Sequence, residues 1–259
     1  MPELPEVEGF KEVLKNSLGQ KIRTVEVHNS KVLDHISDTR FRNKLKGATL
    51  VSAQRYGKYL FGKTDHDFWV SFHFGMTGFL RICGKGEKAE KHERVIFRFE
   101  NEAGLSFSNK RLFGRVGIVK SPSQFSSDHK LGTDALKISR NEYFSILEQH
   151  SVAVKTFLMN QERIAGIGNE YSDEILFQAR IHPGKNTDEL SSEQKKNLFH
   201  QIKSVLSDAS RSRRKGKQLP EGYLINVRGK NKSCPRCGTP ITSEKFGGRT
   251  GYFCPKCQV

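Results

Sequence analysis

The sequence predicts an α+β chain of several domains: an N-terminal β-sandwich or barrel with the first helix packed on it, a helical subdomain, and a small cysteine-bearing module at the C-terminus. Three observations predict it. Apolar residues alternate with period two from about residue 21 to 120, the periodicity turns helical past about residue 130, and two Cys-x-x-Cys pairs close the chain. The 259 residues are enough for two domains or one large domain plus a small module, and 35% hydrophobic residues can supply a core.

Residues 3–18 read as a helix, with Val7, Phe10, Leu14 and Leu18 on one face and Gly19 suited to the position after its end. The strands follow. Val70, Phe72 and Phe74 alternate with Ser71 and His73, and Val95, Phe97 and Phe99 alternate with Ile96, Arg98 and Glu100. Gly84-Lys85-Gly86 is one of the turns between such runs. Cys83 stands alone in a strand-like stretch and reads as a buried small hydrophobe. Residues 131–208 are expected to be helical; Ser191 and Gln194 form a capping box ahead of the stripe Leu198, Ile202, Val205 and Leu206. The Arg-, Lys- and Gly-rich stretch 209–232 reads in its first half as a mobile basic loop.

Cys234-Pro235-Arg236-Cys237 and Cys254-Pro255-Lys256-Cys257 can place four thiolates around one zinc ion. Four protein ligands leave no open position, so the zinc is expected to be structural, and so small a module is expected to fold with its metal. Two disulfides are the alternative, disfavoured without a secretion signal. The basic hairpin Lys245–Gly251 between the pairs suits backbone phosphates.

Lys plus Arg number 44 against 28 Asp plus Glu, a net charge of +16. Such an excess favours a polyanionic partner, because each cation near a phosphate releases counterions. A membrane surface competes, but there is no long apolar run, signal pattern or lipidation motif, so a cytoplasmic location is expected. A generally basic, solvated surface is the bland alternative. In Gly166-Ile167-Gly168-Asn169, glycines precede a helix start whose free N–H groups and dipole suit a phosphate, with Asn169 as a further donor, although Gly-x-Gly is often a plain turn.

The chain start Met1-Pro2-Glu3-Leu4-Pro5-Glu6 offers a nucleophile. Removal of Met1 would leave Pro2 as a secondary α-amine beside Glu3. An α-amine titrates near about 7.7–8.0, so part of it is unprotonated at neutral pH and able to attack an electrophilic carbon. A secondary amine at a sugar C1′ can proceed to an iminium, an electron sink for elimination. An ordinary chain start is the competing reading.

With these residues the whole chain resembles the formamidopyrimidine-DNA glycosylase and endonuclease VIII family, and its start resembles the formamidopyrimidine branch. The resemblance extends over Gly57-Lys58-Tyr59-Leu60, His73-Phe74-Gly75-Met76-Thr77-Gly78, Lys110-Arg111-Leu112-Phe113-Gly114, Gly166 to Tyr171 with Glu174, Leu176 and Phe177, Ile181-His182-Pro183, and the zinc finger. It implies an N-terminal catalytic β-sandwich domain (1–125), a helix-two-turn-helix DNA-binding domain (131–225) and a four-cysteine zinc finger (229–259). It further implies a monomeric bifunctional glycosylase and abasic-site lyase that excises oxidised bases from damaged double-stranded DNA, associates with the nucleoid and nicks by β,δ-elimination.

The resemblance also implies roles. Pro2 is the Schiff-base nucleophile and Glu3 the acid–base group that assists opening of the sugar ring. Glu6 orients water or the damaged nucleotide, Lys58 serves β-elimination and phosphate contact, and Arg249 serves δ-elimination and phosphate binding. His92, Lys155 and Asn169 contact DNA. Met76, Arg111 and Phe113 fill the gap left by an everted nucleotide, whose extrusion costs about a few kcal/mol. Structural readings compete: Met76 and Phe113 as core side chains, Lys58 as a solvated cation, His92 as a surface or satisfied histidine, Glu6 as a first-turn carboxylate on the helix dipole. Leu112 stands where the family usually has a second arginine. Residues 211–222 differ from the usual loop over an everted oxidised purine, a departure compatible with activity on ring-opened purines and poorer handling of 8-oxoguanine. Other readings are a non-catalytic or lyase-only relative that binds distorted or abasic DNA, for which retention of Met1 is the discriminator, and an RNA-binding zinc-ribbon protein.

Overall fold

A computed structural model describes residues 1–259, in two units: Met1–Pro2 with Glu6–Lys130, and Glu3–Pro5 with Leu131–Val259. Helix α1 (Leu4–Lys15) forms on the first apolar stripe, and the turn after it ends at Gly19, whose φ of +78° suits glycine. In the first unit Val7 and Leu14 are fully buried, with Phe10 and Leu18 packed beside them.

Eight strands complete that unit: β1 (Ile22–Val27), β2 (Leu50–Tyr56), β3 (Tyr59–Thr64), β4 (Trp69–His73), β5 (Gly78–Cys83), β6 (Glu93–Phe99), β7 (Gly104–Asn109) and β8 (Arg115–Val119). They form two four-stranded antiparallel sheets, ordered β1-β6-β7-β5 and β2-β3-β4-β8. Alternation puts Val70 and Phe72 from one sheet against Val95, Phe97 and Phe107 from the other, and the Phe72 ring lies 5.9 Å from that of Phe97. The predicted sandwich is therefore present, and Cys83 is buried with a free thiol. Helices α2 (Asp38–Leu45) and α3 (Pro122–Asp128) were not anticipated. Each is announced only by a serine cap, Ser37 or Ser121, and a single large apolar anchor, Phe41 or Phe125.

The second unit is helical: α4 (Arg140–Glu148), α5 (Val154–Met159), α6 (Asn169–Ala179) and α7 (Ser192–Arg214). Leu4 belongs to its core, with Ile167, Tyr171, Leu198, Ile202 and Val205. Ser191 and Gln194 make the predicted capping box. Residues 209–214, expected to lie in a loop, instead complete α7. Ala209 and Ser210 continue its buried stripe, and Arg211, Arg213 and Arg214 fall in the last turn, where cations favour the helix dipole. The chain ends in a hairpin of Thr242–Phe246 and Arg249–Phe253 turned by Gly247 and Gly248, both with positive φ. No helix is long and apolar enough to cross a membrane.

Candidate active site

Glu3 is the most deeply committed of the predicted residues. Its side chain is fully buried. The carboxylate accepts the backbone N–H of Gly168 at 2.6 Å, of Glu170 at 2.9 Å and of Tyr171 at 3.3 Å. Those donors are the N-terminal groups of α6, which a helix cannot satisfy internally. The N–H groups expected to be open for phosphate are thus largely engaged by the protein's own carboxylate, at the positive end of the helix dipole. Gly168 makes this approach possible, since a Cβ there would fall 2.3 Å from Glu3 Cδ. Gly166, at φ +118°, accepts the Leu4 N–H through its carbonyl at 3.1 Å. Pro2, next in the chain, is half-buried behind an exposed Met1.

Asn169 opens α6, and its Nδ2 donates to the Thr250 carbonyl at 3.0 Å. Lys155, on α5, is fully buried. Its ammonium donates to the Asn169 carbonyl at 3.0 Å, Ser172 Oγ at 2.7 Å and Asp173 Oδ1 at 2.6 Å. Burial lowers the pKa of this ammonium and raises that of Asp173, and their mutual attraction opposes both shifts. Three acceptors use its three donors, so Lys155 reaches no solvent-side phosphate in this conformation. Arg249 is exposed directly after the Gly247-Gly248 turn.

In the first unit, Lys58 lies in the two-residue turn between β2 and β3, where Gly57 has φ +54°. The turn is held by Arg55, which donates to the Gly57 carbonyl at 3.0 Å and to Glu8 Oε1 at 2.6 Å, and both side chains of that ion pair are buried. His73 pairs with Tyr59 across β3 and β4. Burial, then the charges of Lys58 and Arg115, pull its pKa down to about 4, leaving it neutral at pH 7. Glu6 occupies the first turn of α1. His92 is half-buried just before β6, its Nδ1 3.3 Å from Arg94 Nη2.

Met76, Arg111 and Phe113 come together on the β4–β5 and β7–β8 loops. Arg111 N–H donates to Thr77 Oγ1 at 3.1 Å. Gly75 lies so close that a Cβ would be 2.6 Å from the Phe113 carbonyl carbon. Met76 is 42% exposed and Phe113 53%, so neither is a core side chain, and the Arg111 guanidinium lies 5.1 Å from the Phe113 ring centre. Leu112, at φ +57°, turns inward against the sandwich core. The apolar side chain is a packing residue here.

The four finger cysteines have their ligand atoms within 4.8 Å of one another and none is in a disulfide. Sulfur separations of 3.9 Å (Cys234–Cys257), 3.6 Å (Cys237–Cys254) and 3.4 Å (Cys257–Cys237) are near the ~3.8 Å of a tetrahedron with ~2.3 Å Zn–S bonds. They suit one structural zinc.

The sequence gives no sign of Asp173, Arg228, Arg55 and Glu8 as site residues. Each works through a partner far along the chain, and no local pattern marks them.

Comparisons with known proteins agree with this anatomy. Residues 1–116 match the formamidopyrimidine-DNA glycosylase N-terminal domain, 131–220 that family's H2TH domain, and 232–259 the zinc finger found in FPG and IleRS. A formamidopyrimidine-DNA glycosylase of Syntrophomonas wolfei is 34% identical, with all of both chains covered. Among solved structures, a variant Lactococcus lactis FPG bound to Fapy-dG-containing DNA is 29% identical with a TM-score of 0.89. MutM in complex with carbocyclic 8-oxo-G-containing DNA is 27% identical with a TM-score of 0.88, and each comparison covers 99% of both chains. Family models matching most of the chain, and a full-length relative, lead to one conclusion: the chain belongs to the formamidopyrimidine-DNA glycosylase family.

Proposed function

We propose that the protein is a DNA glycosylase and abasic-site lyase that removes oxidised bases, foremost ring-opened purines, from duplex DNA. The observation that carries the reading is the Glu3 carboxylate, buried and oriented by three backbone N–H groups of the α6 start, one residue from Pro2. A carboxylate so placed is preorganised rather than recruited, as acid–base work on a bound sugar requires.

In this mechanism Met1 is removed and the Pro2 nitrogen attacks C1′ of the damaged nucleotide. The N–C1′ bond forms as the glycosidic bond breaks, and the base leaves with that electron pair and takes up a proton. The proton released from the attacking nitrogen passes to the Glu3 carboxylate, which delivers it to O4′ as the C1′–O4′ bond opens, giving an iminium. Loss of a C2′ proton sends electrons into the iminium and expels the 3′-phosphate; a second elimination expels the 5′-phosphate. Lys58 assists the first elimination and Arg249 the second, while Glu6 orients water or the nucleotide. Met76, Arg111 and Phe113, exposed on adjoining loops, fill the vacated stack. His92 and Asn169 bind phosphate. Lys155 acts beneath Asn169 by holding its carbonyl, a positioning role in place of direct contact. The working segments are 1–125, 131–225 and 229–259, in a monomer acting at the nucleoid.

Borohydride reduction in the presence of an abasic duplex tests the reading. A covalent adduct on the Pro2 peptide is expected, with none after Pro2→Gly. An adduct on an internal lysine, or no adduct from protein whose mass shows Met1 removed, overturns it.

A further inference from the structure

Thr250 follows Arg249 in the finger hairpin, and its carbonyl has two donors. Asn169 Nδ2 donates at 3.0 Å and Arg228 Nη2 at 3.4 Å. The two anchors differ. Asn169 hangs on that carbonyl alone, because its Oδ1 is buried without a partner. Arg228 is fixed three ways: Nε donates to Asp173 Oδ2 at 2.8 Å, the guanidinium lies 4.6 Å from the Tyr252 ring centre, and Nη2 reaches Thr250. Asp173 is in turn held by Lys155 at 2.6 Å. A guanidinium can make these bonds at once because its donors lie in one rigid plane, whereas an ammonium offers a single nitrogen.

We propose that Arg228 is a positioning residue for Arg249. It keeps the hairpin backbone in place at the Thr250 carbonyl when the Asn169 amide turns away to a DNA phosphate. The inference rests on reading Asn169 and Arg249 as phosphate-binding groups. Without Arg228, recruitment of Asn169 would leave the Thr250 carbonyl, next to Arg249, without either donor. With it, the strand stays tied to the buried pair of Lys155 on α5 and Asp173 on α6.

The test uses full-length, zinc-loaded protein with Met1 removed, as wild type, Arg228→Gln and Arg228→Lys. Products on a duplex with one abasic site are resolved into β- and δ-elimination at saturating DNA, and amide hydrogen exchange is followed over residues 249–252 with and without DNA. Arg228→Lys keeps a cation beside Asp173, so zinc content and melting temperature stay near wild type and a general loss of fold is separated from the specific role. Both variants are expected to lower the δ-to-β product ratio by about tenfold, the effect of losing one charge-assisted bond. Base excision should change by less than about twofold, and exchange at 249–252 should rise mainly in the DNA complex. An unchanged ratio and unchanged exchange in Arg228→Lys overturn the assignment, as does a defect confined to Arg228→Gln. A wild type that makes no δ-product strikes instead at the reading of Arg249.

Discussion

Lys155 is fully buried and its ammonium meets three acceptors, whereas Arg249, of the same charge and in the same unit, stands exposed beside the hairpin turn. The contrast separates a cation whose donors are taken up by the scaffold from one whose side chain faces solvent. An ion taken from water is tolerated only when its hydrogen bonds are nearly all made, and it is then spent on the scaffold. An exposed guanidinium meets no such penalty, and its donors stay open to solvent or to a ligand. In the first unit the Arg55–Glu8 pair is buried under the Lys58 turn and Lys58 is buried as well, whereas Arg111 lies on the exposed loop with Phe113.

The largest effect expected is that of Lys155→Met. It leaves the buried Asp173 with Arg228 alone and should cost about 3–5 kcal/mol of stability, read from the denaturant midpoint. A loss below about 1 kcal/mol would erase the distinction drawn between the two cations.

Glu174 sharpens the comparison from the acidic side. It neighbours Asp173 and is as deeply buried, but it is met by the neutral donors Gln178 Nε2 at 2.7 Å and Ile225 N–H at 2.8 Å. Burial pushes its carboxyl up to about 7 from an ordinary 4.5, against the pull of those hydrogen bonds. A raised native pKa means that the folded state holds the proton more tightly. Its stabilising contribution is therefore complete below about 4.5 and is lost as pH rises through about 7. Glu174→Gln should flatten the dependence of melting temperature on pH across that window. An equally steep profile in the variant would assign the titration to another group.

The smallest stability effect belongs to Arg249→Ala, within about 0.5 kcal/mol of wild type. Its signature lies in binding: weaker affinity for duplex DNA and a salt slope shallower by about 1. A substantial fall in melting temperature with an unaltered salt slope would make Arg249 a second Lys155.

Much of this was legible in residue order. Period-two alternation through 70–74 and 95–99 announced strands, Ser191 and Gln194 announced α7, and the Cys-x-x-Cys spacing announced the zinc site, because each is a pattern within a few residues of itself. The end of α7 is hidden in the sequence because its basic composition outweighs the buried Ala209 and Ser210. Nothing around Lys155 in sequence distinguishes a cation facing solvent from one enclosed by Ser172 and Asp173.

By itself, then, the sequence determined the sandwich strands, α1, the start of α7, the metal ligands and the family, since periodicity, ligand spacing and short motifs are local properties of a chain. Tertiary structure alone decided that Glu3 meets the N–H of Gly168 across 165 residues, that Lys155 is interior, and that Met76 and Phe113 stay outside the core. Those outcomes depend on which groups lose water together, and only the folded chain brings such groups within hydrogen-bonding range.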